Sequence, residues 1–282
     1  VVLSAGALQS PQLLMLSGVG PAEALQRMSI PVVANLPGVG ENLQDHLQVR
    51  LIFRVAKPIT TNDELNSLAG KVRIGLQWLL SRKGPLAVGI NQGGLFTRVL
   101  PESSSPDIQF HFATLSADVA GGSPHPWSGC TFSVCQLRPE SRGRVSLVST
   151  DPMAAPAMQP NYLSTDLDRR CAVEALKLAR RRATTRALSP YLIAEHRPGP
   201  GVRTDHELLE FAREYGQTIF HPSGTCKMGS GADAVVDSQL RVRGIDGLRV
   251  ADCSIMPTLV SGNTHAPVVM IGEKAAAAIL AI

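Results

Sequence analysis

Alternation of apolar and polar residues marks the clearest candidate strand. Along Leu47–Val55 every second residue is apolar, and polar side chains such as Gln48 and Arg50 lie between them. This alternation predicts a strand with one buried face. Three more segments have strand-like apolar patterns, at 108–112, 131–137 and 145–148. Together they predict a sheet.

Apolar residues at intervals of three and four predict helices. The spacing holds from Leu65 to Leu79, behind a candidate N-cap at Asn62 or Asp63. Thr204 and Glu207 match a capping box that opens another helix. Further helices are predicted at 11–16 and 166–188, and loops at 101–106, 121–126 and 151–160, where Gly, Pro and Ser cluster.

The two ends of the chain have a similar character. The apolar run at 1–5 predicts a buried strand whose partners lie elsewhere, in this chain or in sequence outside it. The tail has a short strand at 248–252, a loop at 261–265 and a terminal helix entered at Pro267. We therefore predict mixed α and β structure, with 1–45 and 236–282 as one domain and 46–235 as a domain inserted into it.

Composition narrows the class of protein. With 44% hydrophobic residues and a net charge of +4, the 282-residue chain can bury a core, which excludes disorder. Its basic residues form no long tract, so nucleic-acid binding is not favoured, and its apolar runs are too short to predict a membrane span. Five scattered cysteines without a C-x-x-C pair predict reduced, buried thiols and a cytoplasmic protein, and no metal site.

Several enzyme motifs are absent from the sequence. It contains no G-x-S-x-G and no P-loop, and the Gly38-x-Gly40 pair lacks the third glycine of a dinucleotide fingerprint. The helix around His206 carries a glutamate where a zinc protease needs its second histidine. A hydrolase reading is therefore weak.

The richest segment is His221-Pro-Ser-Gly-Thr-Cys-Lys-Met-Gly229. Downstream lie a G-L-R-V-A-D segment ending at Asp252 and a G-N-T-H-A-P segment that contains Asn263 and His265. With the segments G-A-L-Q-S-P-Q-L-L at 6–14, G-V-G-E-N-L-Q-D-H at 38–46 and L-R-P-E-S-R-G-R-V at 137–145, the chain resembles the C-terminal portion of the glucose-methanol-choline (GMC) oxidoreductases. The resemblance extends over nearly the whole chain.

The resemblance implies FAD and oxidation of an alcohol to an aldehyde or ketone. It implies a partial Rossmann-like FAD-binding layer with an inserted substrate domain, built as an antiparallel sheet flanked by helices. The residue matching His221 is the general base, and a neutral imidazole suits that role. Asn263 holds the substrate oxygen, and His265 belongs to the same catalytic group. The residues implied to contact the cofactor are Ala5, Gly6, Ala251, Asp252, Asn263, Thr264 and His265.

Departures from the family pattern affect which substrate and which part of the cofactor we expect these residues to bind. His265 stands where the family more often has Asn, and Phe220 stands where choline-specific members tend to have Tyr. Because aromatic residues make up only 4% of the chain, no cage for a quaternary ammonium is evident, which favours a general alcohol over choline. The N-terminal G-x-G-x-x-G unit is absent from these residues.

Two interpretations therefore remain open from the sequence. In the first, the chain is a C-terminal fragment of a GMC enzyme, opening without Met, inactive alone and largely without FAD. In the second, it is a non-catalytic binding or assembly module that keeps the fold and has lost the cofactor. In the fragment, unpaired strand edges favour self-association into homo-oligomers.

Overall fold

The computed structural model describes residues 1–119 and 121–281. In that part of the chain the fold is α+β with a main antiparallel sheet, which confirms the predicted fold class. The helices are α1 (Gly6–Leu16), α2 (Ala22–Arg27), α3 (Thr61–Leu65), α4 (Leu68–Ser81), α5 (Asp166–Ala183), α6 (Asp205–Tyr215) and α7 (His265–Leu280). The strands are β1 (Val2–Leu3), β2 (Val19–Gly20), β3 (Ala34–Asn35), β4 (Leu47–Val55), β5 (Gly93–Thr97), β6 (Ile108–Ala113), β7 (Gly129–Gln136), β8 (Arg144–Ser146), β9 (Ala157–Gln159), β10 (Leu192–Arg197), β11 (Gln217–Thr218) and β12 (Arg249–Val250).

The chain forms two compact units, each discontinuous in sequence. The first unit contains Val1–His46, Leu137–Asp168 and the chain from Thr218 onwards, and the second contains Leu47–Gln136 and Arg169–Gln217. These two units are defined by the contacts that residues make within the chain. The assignment of 1–45 with 236–282 to FAD and of 46–235 to substrate concerns ligands and stays a prediction.

The second unit is built on the main sheet. Its strands run in the order β10-β4-β7-β6-β5, all antiparallel, and β11 also pairs with β4. The predicted strand Leu47–Val55 is β4, and its consecutive residues Leu51, Ile52 and Phe53, whose side chains point to opposite faces, are all buried. Both faces of this strand are covered, where alternation predicted one.

Helix caps differ from those predicted. The expected single helix over 65–79 is two helices, because Ser67 caps α4 through a hydrogen bond from the Gly70 N–H and Thr60 caps α3 in a capping box. Asn62, a predicted cap, is buried inside α3, where its amide donates to the backbone carbonyls of Ser116 and His125. Local pattern located these helices but did not identify the residues that begin them.

Other elements depart from the predicted bounds. The helix predicted over 166–188 ends at Ala183, and the loop predicted over 151–160 contains β9, which pairs with β8. Strands β5 and β10 carry no clear alternation and were not predicted; β5 begins with two glycines, which are depleted in strands.

In the first unit, the two ends of the chain pair with each other. Strand β1 lies parallel to β12, with Val2 opposite Arg249 and Leu3 opposite Val250. The strand predicted at 1–5 is β1, it is two residues long, and Val1 and Val2 are exposed among the described residues. The core of this unit is formed by apolar residues of α1, β2, α2, the 235–242 segment, β12 and α7.

Helix α1 contains a proline whose structural cost is offset by a distant residue. Pro11 has no N–H, so it cannot donate to the carbonyl of Ala7 one turn earlier. The hydroxyl of Thr225 donates to that carbonyl at 2.6 Å, and Thr225 is fully buried. The buried acceptor is therefore satisfied from outside the helix.

None of the five cysteines forms a disulfide, in agreement with the reduced thiols that the sequence predicts, and all but Cys253 are buried. Burial raises the pKa of Cys130 to about 12 and also raises the pKa of Cys226 and Cys253, so these thiols stay protonated and pack as apolar groups. Among the described helices, none is both long enough and apolar enough to cross a membrane.

Thr225→Val should lower the free energy of unfolding by about 1–3 kcal/mol, because it leaves the buried Ala7 carbonyl without its donor. In a Pro11→Ala background the backbone N–H at position 11 can take over, so the same substitution should cost less. Urea denaturation of the unsubstituted chain, the two single variants and the double variant measures the coupling between positions 11 and 225. Equal costs in both backgrounds would contradict this account of Pro11.

Candidate active site

The His221 segment is held by backbone hydrogen bonds to the segment after β12. The N–H groups of Gly224, Cys226 and Met228 donate to the carbonyls of Cys253, Ser254 and Ile255 at 3.2, 2.8 and 2.8 Å. Two motifs that are far apart in sequence therefore lie side by side. Cys226 is fully buried in this contact, which agrees with its predicted packing role.

The 38–46 segment packs against the His221 segment and depends on glycine for the approach. The Gly40 N–H donates to the Thr225 carbonyl at 2.8 Å, and the Gln44 and Ser223 backbones exchange two hydrogen bonds of 2.9 Å. Gly40 has φ +85° and Gly224 has φ +93°, a region that favours glycine. A Cβ on Gly224 would also lie 2.6 Å from the Asn42 carbonyl oxygen.

One carboxylate, Asp45, fixes the backbone at the end of this segment. Its Oδ1 accepts from the backbone N–H groups of His46 at 2.8 Å and His221 at 3.0 Å. Its Oδ2 accepts from the Tyr162 hydroxyl at 2.5 Å and from the Thr218 hydroxyl. Asp45 is buried, so these donors replace the water that the charge has lost. Burial, together with the Asp45 charge, raises the pKa of Tyr162, which keeps this donor protonated.

The imidazole of His221 is placed by a second histidine. His221 is 8% exposed and His46 is fully buried, and their Nδ1 atoms lie 2.9 Å apart. The rings meet edge to face at 82°, and His46 Nε2 lies 3.1 Å from the Leu137 carbonyl oxygen. Burial lowers the pKa of His221 below its ordinary 6.5, with Asp45 opposing the shift. A neutral imidazole at neutral pH is the state that a general base requires.

The residue before His221 has an uncommon backbone conformation. Phe220 has φ +63° and a 78% exposed side chain. A non-glycine residue in this region costs on the order of 1–3 kcal/mol. Its N–H donates to the Thr218 hydroxyl at 2.9 Å, so the residues around Asp45 also hold this turn.

A second group of predicted residues meets where β12 ends and α1 begins. Asp252 Oδ2 accepts from the Gly6 N–H at 3.0 Å and the Ser10 hydroxyl at 2.5 Å, while its Oδ1 accepts from the Ser254 N–H at 2.7 Å. The Ala5 N–H donates to the Ser10 hydroxyl at 3.1 Å. Ala251 donates to the Leu3 carbonyl at 2.8 Å and accepts from the Ser4 hydroxyl. Asp252 thus fixes the start of α1.

The third group lies at the N-terminus of α7. Asn263 is exposed, Thr264 immediately precedes the helix, and His265 is its first residue and is exposed. The predicted loop at 261–265 therefore ends one residue earlier, and Pro267 lies inside the first turn. Thr264 makes no side-chain cap, and the first turn carries no acidic residue. The helix dipole gives this end partial positive charge, which favours an electron-rich group beside it.

The structure thus brings Ala5, Gly6, Ala251 and Asp252 directly together, and places His221 with two residues to which the sequence analysis gave no role, Asp45 and His46. Their signal was present in the G-V-G-E-N-L-Q-D-H segment. That segment supported the resemblance, but nothing local in it shows that Asp45 and His46 meet a histidine 175 residues away.

A further cluster of titratable groups lies in the second unit. Ligand atoms of Asp118, His125 and His196 lie within 4.8 Å of one another. The Asp118 carboxylate, however, already accepts from Arg197 at 2.7 Å, and the pKa of His196 is lowered by burial and by the charges of His125 and nearby arginines. Positive surroundings oppose a cation here, so we assign no metal to this cluster.

The sequence is similar to those of known proteins. The family model described as GMC oxidoreductase matches residues 1–48 with its N-terminal domain and 139–272 with its C-terminal domain. The mitochondrial choline dehydrogenase of Mus musculus is 45% identical over 278 residues, which cover 98% of this chain and 46% of that protein. The oxygen-dependent choline dehydrogenase of Staphylococcus saprophyticus is 42% identical over 279 residues, covering 98% of this chain and 50% of the relative. The chain spans about half the length of these curated relatives.

Solved structures agree with the sequence relatives. A formate oxidase variant from Aspergillus oryzae, studied for FAD modification, has a TM-score of 0.93 and 27% identity, covering 100% of this chain and 54% of that chain. A fungal aryl-alcohol oxidase has a TM-score of 0.84 and 26% identity, covering 99% and 54%. Family models that together match well over half of the chain, joined to this structural agreement, show that the chain belongs to the GMC oxidoreductase family.

Proposed function

We propose that this chain supplies the catalytic portion of a FAD-dependent enzyme that oxidises an alcohol to an aldehyde or ketone, with His221 as the general base. The observation that carries the proposal is the buried, neutral imidazole of His221. Its imidazole is buried, has Nδ1 engaged by His46, and has a pKa lowered by that burial. It therefore remains neutral at working pH and presents Nε2 to an incoming proton.

The residues present fit a flavin. FAD, when bound, supplies the hydride acceptor. The N-terminus of α7, with Asn263, Thr264 and His265, would lie beside the ring, since a positive helix end without a competing carboxylate suits an edge that becomes electron-rich. The carboxylate of Asp252 would act by holding Gly6 and the start of α1 in place, with Ala5 and Ala251 adjoining.

The protein's own part in the reaction is proton transfer and orientation. As the alcohol carbon loses its hydride, His221 takes the hydroxyl proton on Nε2, so that a C–H and an O–H bond break and a C=O bond forms. Asn263 would hold the substrate oxygen with an amide donor that does not titrate. His265, the second titratable side chain of this group, would lie near the same oxygen.

We propose a general alcohol as the substrate, although the curated relatives named above are choline dehydrogenases. Aromatic residues are 4% of the sequence, and Phe220, which precedes the base, is exposed. A single exposed ring does not form an aromatic cage for a quaternary ammonium. Comparing choline with a neutral alcohol of similar size, at equal concentrations, separates the two substrate classes.

We also propose a reducing compartment, the cytoplasm expected from the sequence. None of the five cysteines is in a disulfide. Disulfides persist chiefly in oxidising compartments, so a chain with five cysteines and no disulfide among them favours a reducing one. The mouse relative is named a mitochondrial enzyme.

His221→Gln should slow alcohol-dependent flavin reduction about 10²- to 10⁴-fold, because it removes the proton acceptor. The measurement uses the protein expressed with any sequence encoded upstream of Val1, loaded with FAD. His206→Gln, the same substitution at an exposed position on α6, is the matched control and should keep its rate. Near-normal reduction by His221→Gln would rule out this base.

The same burial should make stability depend on pH. Below pH 6.5 the unfolded chain protonates at His221 while the folded chain resists, since its pKa is lowered. The free energy of unfolding should therefore fall as the pH drops from 6.5 toward the folded-state pKa. His221→Gln should flatten this slope in urea titrations, whereas Ser223→Ala should not. An unchanged slope in His221→Gln would show that its pKa is not lowered in the folded chain.

The 282 residues alone should bind FAD weakly, since they contain no G-x-G-x-x-G for the diphosphate. Flavin fluorescence titration tests this prediction. The comparison is the longer protein, expressed with any sequence encoded upstream of Val1. If that longer protein also fails to bind FAD, the alternative of a non-catalytic module is favoured. Tight binding by the 282 residues alone would contradict the expected role of that unit.

A further inference from the structure

The geometry of the buried pair His46 and His221 also shows which ring nitrogens carry protons. His46 is fully buried, and each of its ring nitrogens has a neighbour within hydrogen-bond distance. Nδ1 lies 2.9 Å from Nδ1 of His221, and Nε2 lies 3.1 Å from the carbonyl oxygen of Leu137. These two distances determine where the protons lie.

A backbone carbonyl only accepts hydrogen bonds, so His46 Nε2 must carry a proton. A neutral imidazole has one N–H, which leaves Nδ1 of His46 with a lone pair. The short Nδ1–Nδ1 contact then requires the proton between the rings to belong to His221. His221 is therefore the Nδ1–H tautomer, and its Nε2 has no proton.

We propose that His46 is a positioning residue that fixes the tautomer of His221, so that the unprotonated Nε2 faces the substrate hydroxyl. The tautomer of His221 is inferred from the two distances alone. The role of that tautomer in catalysis rests on the proposed function. In water, neutral histidine favours the opposite tautomer, with the proton on Nε2, which could not accept a proton there. The hydrogen bond at the far nitrogen decides which form is present.

The backbone geometry supports a fixed pair. Asp45 Oδ1 accepts from the N–H of His46 and the N–H of His221, so one oxygen sets both main chains. The rings meet at 82° with centroids 5.2 Å apart, and their Nδ1 atoms are the nitrogens in hydrogen-bond contact at 2.9 Å. Neither ring can rotate without losing its hydrogen bond.

The same arrangement has a role after proton transfer. Once Nε2 of His221 accepts the hydroxyl proton, the imidazolium donates its Nδ1–H to His46, and that hydrogen bond becomes charge-assisted and stronger. His46 keeps its own proton on Nε2, toward Leu137. It therefore stabilises the cation without itself changing charge.

Nitrogen-15 NMR of the 282-residue chain tests the tautomer directly. With histidine labelled and the pH at which His221 is neutral, His221 should show Nδ1–H and His46 should show Nε2–H. His46→Leu should shift His221 toward Nε2–H, whereas His46→Asn, whose amide oxygen can accept near the position of Nδ1, should restore Nδ1–H. Ser223→Ala, which removes a hydrogen bond to the His221 carbonyl, should leave the tautomer unchanged.

Kinetics supply a second measurement. In the FAD-loaded protein, His46→Leu should lower kcat roughly 10- to 100-fold with little change in KM, and His46→Asn should recover part of the loss. An Nε2–H tautomer of His221 in the unsubstituted chain, or in His46→Leu a tautomer that does not change, would overturn the inference even if His221→Gln is inactive. If His221→Gln retains its turnover while the NMR result holds, the proposed base is wrong and the proton arrangement stands.

Discussion

The Asp45 carboxylate is the interaction on which the candidate site depends. It is buried and accepts from two backbone N–H groups and two hydroxyls. These donors come from three separate stretches of the chain, so the carboxylate can be satisfied only when all three are in place. A buried charge without its donors costs several kcal/mol, which ties the geometry of the histidine pair to correct folding of the whole first unit.

Secondary structure was predictable where burial of one face gives the sequence a regular spacing of apolar residues. The alternation in Leu47–Val55 gave the bounds of β4, and the capping box at Thr204 gave the start of α6. Helix α3 shows the limit of such reasoning, because Thr60 caps it while the predicted cap Asn62 hydrogen-bonds to distant carbonyls. Strand β5, with two glycines, is formed by pairing with β6 and has little local preference of its own.

The site was predictable only where its motifs resemble those of a family. His221, Asp252 and Asn263 were proposed as site residues in this way, and their roles stay predictions. His46 and Asp45 were not, since a histidine after an aspartate has no meaning until it meets its partner 175 residues later. Residues whose function depends on long-range contacts leave little trace in local sequence, even when they lie in a segment already noted for its glycines.

The pairing of the chain's two ends has a consequence for synthesis. Gly6 binds Asp252 across 246 residues, and β1 has β12 as its partner. At ribosomal rates of about 5–20 residues per second, the first strand waits roughly 10–50 s for its neighbour to be made. In residues 47–136 and 169–217 the wait is shorter: β4 waits for β10, whose pair Val55–Leu192 lies roughly 140 residues apart, or about 7–28 s. During translation the second unit therefore has its partners first, and the early apolar segments of the first unit are the part of the nascent chain that a chaperone has most reason to cover.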